Sequence, residues 1–513
     1  MNYSMHLLLT LTTLLPVKPR EAGDPDEPGP ATPGLPEVVE AARQRLLQLV
    51  DDFRNQPVAP LRAQQFEQQL QDALRELGRG VVQWTYNHLE PAAVEGLAKH
   101  VHFEAGAYTR LNAKTAQNAW TLFGQIRLWR VGYRPTDKSG DPTLFPLALG
   151  LGLVQGASPA LAGRAAQLLG GTGMSQQRTL DRLRQDYGVG WGVKKLRQVT
   201  AAVARALTEQ RHETQGDRLL DLLRQASAGT GRHKPVLSVG RDGITLGVRI
   251  KGGNLFEVAT TGTVSVFDRR GKRLGTVYLA YIPESGQVTI TKELTRLLRA
   301  VLWRFEGPLP RLCYVTDAGD HESTYYDKVL SRMKHPRTGV PLDWIRVVDY
   351  YHASARLWTL ADLLFGKGPR SVGWVRKMQK WLLKPGGVNR VLHSAAALRD
   401  YYGLAKSKRV GFKKAYRYLR KRMKYMKYAA YRRLGVPLGS GVTEAGCKTV
   451  YTERLKLSGM RWQRDGAQTI LNLRVLQLSG VWDEAYARVL QEFDQPQVRG
   501  QKVSGRNRGQ KAA

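Results

Sequence analysis

The spacing of apolar residues changes character twice along this chain. Phe66, Leu70, Leu74 and Leu77 recur at helical intervals, and Gly78 is expected to end that helix. Gln125 to Val131 (QIRLWRV) alternates instead, which predicts a strand with basic residues on one face, part of a small hairpin. Helical spacing returns between Ser158 and Tyr187 as two short helices. Ser158 can cap the first, Pro159 suits its first position, and Gly170 and Gly171 break it. Ser175 starts the second, which carries Arg178, Arg182 and Arg184 and closes at Gly188. The pair reads as a helix-turn-helix with a groove-reading second helix, or as an ordinary helical hairpin. A longer helix over 193–226 leads to a boundary at Thr230 to Pro235.

Beyond that boundary the pattern turns to strands. Val236 to Asp242 is rich in strand formers, and Phe256 to Asp268 and Leu274 to Ile282 alternate as antiparallel strands do. A helix over Lys292 to Phe305, a strand at Arg311 to Thr316, a helix at Tyr325 to Met333 and a strand at Trp344 to Val348 follow. The order is βββαβαβ, and a long, helical, basic region comes after it. The fold class is therefore a multidomain α/β (α+β) chain. The expected divisions are a leader over 1–36, a helical and hairpin region over 37–145, a helix-turn-helix-like region over 146–230, an α/β domain over 231–485 with a helical insertion at about 353–436, and a basic tail over 486–513.

Composition narrows the function classes. Lys and Arg number 79 against 43 Asp and Glu, a net charge of +36 in 513 residues. A field of that sign attracts polyanions, and each neutralised phosphate releases counterions, so binding should weaken steeply with salt. Two cysteines, Cys313 and Cys447, form neither a close-spaced metal pair nor a disulfide framework and fit a reducing cytoplasm. Met5 to Leu15 resembles a short signal-peptide core but lacks a basic start and a small-residue cleavage site, so a frayed or misassigned start is expected. Pro16 to Pro36 reads as an acidic, Pro/Gly-rich linker and Gln497 to Ala513 as a disordered tail. No stretch approaches the roughly 20 apolar residues that span a membrane.

The candidate chemistry is carboxylate chemistry. Asp242 lies at or near the end of the first strand of the α/β region, in VGRDG, and Asp317 directly after the fourth, in CYVTDAG. Strand carboxyl ends form a shared functional edge. In a ribonuclease-H arrangement the first and fourth strands are neighbours, which would bring the two aspartates together. They would then repel unless a cation lay between them, and Mg²⁺ suits such oxygen ligands. A third acid, Glu444, ends a long acid-free stretch and would occupy the first turn of a helix capped by Ser440 or Thr443. An acid there also suits the helix dipole, so a plain capping charge stays open.

These residues carry a resemblance. VGRDG, VTDAG, DYYH at Asp349 to His352, and the long run PLGSGVTEAGCKTVYTERLKLSGMRWQRDGAQTILNLRVLQLSGVW from Pro437 to Trp482 resemble bacterial insertion-sequence transposases of the DDE type, closest to the Kra-type group. The likeness covers roughly 120–485. It implies a ribonuclease-H-like catalytic core preceded by a mainly helical DNA-binding region. It further implies that Asp242, Asp317 and Glu444 bind two Mg²⁺ or Mn²⁺ ions, and that His352 orients the scissile phosphate or the leaving oxygen. A histidine packed under its helix is the plainer alternative, and Asp349 could be a fourth acid. Related sequences often carry a cysteine zinc ribbon near the hairpin. Tyr133 to Gly140 has no cysteine, so no structural zinc is expected.

The implied activity is metal-dependent cleavage at transposon ends, followed by strand transfer of the freed 3′-hydroxyl into target DNA. The partners would be transposon-end and target DNA and a second copy of the chain, in a cytoplasmic, nucleoid-associated setting without a membrane. A catalytically silent DNA-binding descendant and a nuclease that cuts without joining are the alternatives. For DNA contact the candidates are Lys448, Arg454 and Lys456, read as following Glu444 on its helix, Arg178 and Arg182 on the groove-reading helix, and Lys421 and Lys424 on a predicted helix over Ala415 to Leu434. That helix has an apolar stripe of Leu419, Met423, Met426 and Ala430 and a basic rim including Arg422; its tyrosines could stack on unpaired bases or pack in the core.

Overall fold

The computed structural model describes residues 34–103, 106–137, 141–250, 253–492 and 499–500. The leader reading and most of the tail reading fall outside them. The chain separates into two compact units: 1–169 with 174–209 and 486–513, and 170–173 with 210–485.

The first unit opens with helices α1 (Leu35–Arg54) and α2 (Pro60–Asn87), between which Phe53 and Phe66 stack at 4.6 Å. Helix α2 does not stop at Gly78 as expected. Phe123 packs so closely on Gly78, and Val38 on Gly80, that a Cβ would strike either side chain. Those glycines serve close packing within the helix, and tertiary contact overrides their poor helix propensity.

Strands β1 (His100–Phe103), β2 (Gly106–Thr121) and β3 (Gly124–Pro135) form an antiparallel sheet. Ile126 and Leu128 are buried while Gln125 and Arg127 are exposed, as the alternation predicts. The element is larger than a small hairpin: β2 runs 16 residues, and Arg499–Gly500, inside the expected disordered tail, pairs with β1 as a fourth strand.

After α3 (Pro146–Gly150), helices α4 (Pro159–Gly170) and α5 (Gln176–Tyr187) follow the predicted punctuation. Ser175 Oγ accepts from Arg178 N at 3.0 Å, and Gly188 takes the left-handed conformation that ends α5. Helix α6 (Val193–Ala228) then runs 36 residues.

The second unit is built on a five-stranded sheet of β4 (Val236–Ile250), β5 (Gly253–Phe267), β6 (Arg273–Tyr281), β7 (Arg311–Thr316) and β8 (Trp344–Val348). Its spatial order is β6-β5-β4-β7-β8. The first three strands pair antiparallel; β4–β7 and β7–β8 pair parallel. The two parallel strands occupy the predicted residues. By contrast β4 runs eight residues beyond Asp242, paired with β5 throughout, while its pairing with β7 ends at Gly240. Asp242 thus lies where the parallel part of the sheet stops, not where its own strand stops.

Side chains alternate between the two faces of a sheet. On one face Leu237, Val239, Leu312 and Tyr314 pack with Leu219 and Leu223 of α6 and with α7 (Val288–Arg304) and α8 (Asp320–Lys328). Both latter helices begin four or five residues earlier than expected. Helix α8 opens on Asp320 and Glu322, which favour a helix N-terminus without adding to the apolar stripe, and α7 opens on Val288 and Thr289, which are exposed, before the buried Ile290.

On the opposite face Val236, Cys313, Val315 and Val347 pack with a helical layer. That layer comprises α9 (Tyr350–Phe365), α10 (Pro369–Leu382), α11 (Gly387–Tyr402), α12 (Lys406–Arg422) and α13 (Tyr428–Leu434). The single helix expected over Ala415 to Leu434 is broken by a tight turn at Met423–Tyr425. Leu419 and Met426 are buried but Met423 is exposed, so the apolar stripe does not continue through the break. Tyr428 is fully buried, its hydroxyl donating to Val348 O at 2.9 Å, and Tyr416 stacks on Phe412. These tyrosines are packing residues, not exposed stacking platforms.

Helix α14 (Gly441–Cys447) continues into a π-helical turn, Lys448–Thr452, and α15 (Arg464–Leu478) follows. No helix among the described residues is long and apolar enough to cross a membrane.

Candidate active site

Strand alternation and register assemble the site. Gly240 lies beside Val315 in the parallel ladder, so Asp242 and Asp317, each two residues further on, stand at the same level where the parallel pairing of β4 and β7 ends. Asp242 has the parity of Val236 and Asp317 that of Cys313 and Val315, which places both on the face carrying α9 to α13. Asp349 follows β8 on the same face.

Glu444 reaches this edge on α14, which lies directly over β4 and β5. The approach depends on small residues. A Cβ on Gly240 would overlap the Thr443 hydroxyl, and one on Gly446 would come within 3.2 Å of Tyr278. Thr443 Oγ1 and Thr263 Oγ1 hydrogen-bond at 2.7 Å and fix the helix on the sheet.

Asp242 is held by its neighbours. Its Oδ1 accepts from Gly243 N at 2.8 Å, and the Cys447 thiol donates to its carboxylate. Burial pushes its pKa up, and the nearby charges of Asp317 and Glu444 push it further, against the lowering effect of those hydrogen bonds. Burial likewise raises the Cys447 thiol, with Asp242 adding to the effect. The acids are therefore near enough to oppose one another's ionisation, the condition a cation relieves.

They are not gathered as tightly as three ligands of one ion. Among the described residues, the group whose ligand atoms all lie within 4.8 Å of one another is Asp349, His352 and Glu444. Within it, His352 Nε2 donates to Glu444 Oε1 at 2.9 Å, since a carboxylate can only accept. Ser440 Oγ lies 3.0 Å from the same oxygen. Asp349 is fully buried and caps α9: Oδ1 accepts from His352 N at 2.8 Å, while Oδ2 accepts from both the amide and the hydroxyl of Ser440. Ser440 thus serves Asp349 and Glu444 instead of capping α14 with its side chain. His352 touches Glu444 and is not simply packed under its helix.

The turn after Asp317 is backed from α12. Ala318 is buried at φ 61°, a conformation that strains a residue with a Cβ. Its carbonyl accepts from the Arg422 guanidinium at 2.7 and 3.1 Å, and Tyr418 OH donates to Asp317 O at 2.7 Å. Arg422 therefore braces the turn instead of joining a phosphate-gripping rim.

Two residues near the acids were missed in the sequence. Glu322, in the first turn of α8, is 8% exposed. Burial raises its carboxyl to about 6, with Asp317 and Asp242 adding to the rise. Its only sequence signal is an acid at a helix start. Arg356, one turn beyond His352 on α9, lies 4.9 Å from the Tyr418 ring, and its buried Nε has no hydrogen-bond partner. Helical spacing from His352 could have drawn attention to it.

The basic candidates divide. Lys448, Lys456, Arg178, Arg182, Lys421 and Lys424 are exposed. Arg454 is not: it is 0% exposed, with its guanidinium 5.2 Å from the Trp462 ring and Nη1 3.8 Å from Met460 Sδ. Contrary to expectation, Arg454 is an interior packing residue and presents no surface for DNA. Nor do the three cations follow Glu444 on one regular helix. The π turn shifts the register after Cys447, and Arg474 Nε, at 2.6 Å from the Thr449 carbonyl, is anchored to that turn.

No protein-family model matches the chain, and no curated protein matches it.

Proposed function

We propose that this chain is a DNA transposase with a ribonuclease-H-like nuclease core, in which Asp242, Asp317 and Glu444 hold two Mg²⁺ or Mn²⁺ ions. The observation that carries the reading is the sheet β6-β5-β4-β7-β8, whose adjacent central strands deliver Asp242 and Asp317 to one edge while α14 brings Glu444 over it. The donor set fits hard divalent cations: three carboxylates, one of them partly buried and opposed by the charges of the other two. When bound, such ions make water nucleophilic near neutral pH and stabilise a leaving oxygen.

The protein's part is to hold the acids in place. Gly243 N–H and the Cys447 thiol orient Asp242, His352 and Ser440 orient Glu444, and Tyr418 and Arg422 brace the turn behind Asp317. Arg356 supplies a positive charge on the same helical face as His352. Water attack forms one P–O bond and breaks the bond to the 3′ oxygen, which leaves as a 3′-hydroxyl; that hydroxyl then attacks a target phosphate and displaces the target strand's own 3′ oxygen. The substrates are transposon-end and target duplexes, and holding two ends calls for a dimer or larger assembly. A bacterial cytoplasmic, nucleoid-associated setting follows from that activity.

The test is cleavage and joining by the full-length protein with Mg²⁺, on duplexes carrying whatever inverted repeats are found flanking its gene; finding none would count against the reading. The expected outcome is nicked ends and joined products. Asp317→Asn should lose both by at least about 100-fold, the scale on which essential catalytic groups act, while still retaining DNA in a gel shift. Cleavage that persists in this variant would remove the metal assignment.

A further inference from the structure

Where β4 and β5 extend beyond the acids, their tip meets the segment that leads into α15. Trp462 forms a parallel bridge with Val248, and Arg249 N donates to Trp462 O at 2.7 Å. This contact caps the β4 edge that β7 leaves at Gly240. Between Gly240 and Val248 that edge has no ladder partner among the described residues. A cleft of about 730 Å³ lies at the junction, lined by Arg249, Gly253, Arg461, Gln463, Arg464 and Asp465 among others.

The lining is cationic. Arg249 and Arg461 are exposed, and neither side chain has a hydrogen bond or ion pair among the described residues. Arg464 is anchored by donating to the Pro283 carbonyl. The 15-residue helix α15 begins at the cleft, and Gln463 before it makes no side-chain cap bond. First-turn amides and unpartnered guanidinium groups share one preferred ligand, a phosphate oxygen. Asp465, the single acid of the lining, stands in that first turn and leaves an excess of positive charge.

We infer that this cleft binds a backbone phosphate of duplex DNA away from the cleavage point. Asp242 and Arg249 lie on β4, and seven strand residues span about 23 Å, so the cleft stands well away from the acids along the strand. The open β4 edge runs between the two points. This inference rests on the DNA-processing reading above and adds a second anchor to it. Two anchors would set the register of the duplex over the acids.

The experiment measures binding of a labelled DNA duplex in EDTA, where cleavage plays no part, across a series of salt concentrations. The double variant Arg249→Ala/Arg461→Ala should reduce the magnitude of the slope of log K against log salt by roughly 1 to 2, the change expected for one or two lost phosphate contacts. Arg249→Lys/Arg461→Lys keeps the charges and should keep most of the slope. When single uncharged methylphosphonates are scanned along the duplex, one position away from the cut should weaken the wild type and leave the alanine variant unchanged.

An unchanged slope in a folded alanine variant would overturn the cleft, as would equal losses in the alanine and lysine variants or a loss confined to RNA duplexes. Absence of DNA binding by the wild type would overturn the transposase reading as well, whereas loss of activity in Asp317→Asn leaves this slope untouched.

Discussion

Glu322 shows what one side chain can report about this edge. Burial lifts its carboxyl from the usual 4.5 to about 6, with Asp317 and Asp242 adding to the rise and Arg241 opposing it. A raised folded pKa means that the native state holds the proton more tightly than the unfolded chain. The group's stabilising contribution is therefore complete below about 4.5 and is lost as pH rises through about 6. The difference corresponds to about 2 kcal/mol. In metal-free protein, Glu322→Gln should match the wild type below pH 4.5 and exceed its stability by about 2 kcal/mol at pH 7, measured by urea unfolding across pH. A stability difference that does not vary with pH would refute this. Residue type alone did not reveal such roles. Arg454 and Lys456 look alike as members of a basic run, yet Arg454 is enclosed beside Trp462 and Lys456 is exposed. The sequence contains no signal for which turn of a distorted helix faces inward.

At the scale of elements, the contact between α14 and the sheet governs where Glu444 sits. Gly240→Ala would push a methyl group into the Thr443 hydroxyl, and overpacking of this kind costs about 1–3 kcal/mol. The expected outcome is a lower melting temperature together with loss of the proposed cleavage activity as α14 lifts. Thr443→Ala in the same chain should restore part of both, and a double variant no better than Gly240→Ala would argue against this contact as the cause.

The strands were the most legible part of the sequence. Strands β7 and β8 are short apolar runs bounded by polar residues, and their limits were read correctly. The extension of β4 was missed because Gly243 and Gly247 interrupt its apolar pattern. Those glycines lie under Val258 and Phe256 of β5, so the cross-strand partner supplies the bulk the strand itself lacks. The π turn after α14 had no sequence signal, because its stability depends on contacts such as that from Arg474, 25 positions along the chain.

At the scale of the whole molecule, the net charge of +36 opposes compaction and favours a polyanionic partner. Folding nevertheless buries carboxylates at the centre of the second unit, and one of these joins distant parts of the chain. Asp349 ends the last strand, holds the first turn of α9 through His352 N, and holds the loop before α14 through both polar groups of Ser440, 91 positions away. Two segments that carry neighbouring groups, His352 and Glu444, thus share a single fastener. Asp349→Ala should release them together, with amide hydrogen exchange rising in parallel at His352 and Ser440 and a loss of roughly 3 kcal/mol or more from buried donors left unpaired. Exchange that rose at only one of the two would mean they are secured separately. If they loosen in step, this half of the candidate site has no partly assembled form: the histidine and the glutamate take up their positions in one event.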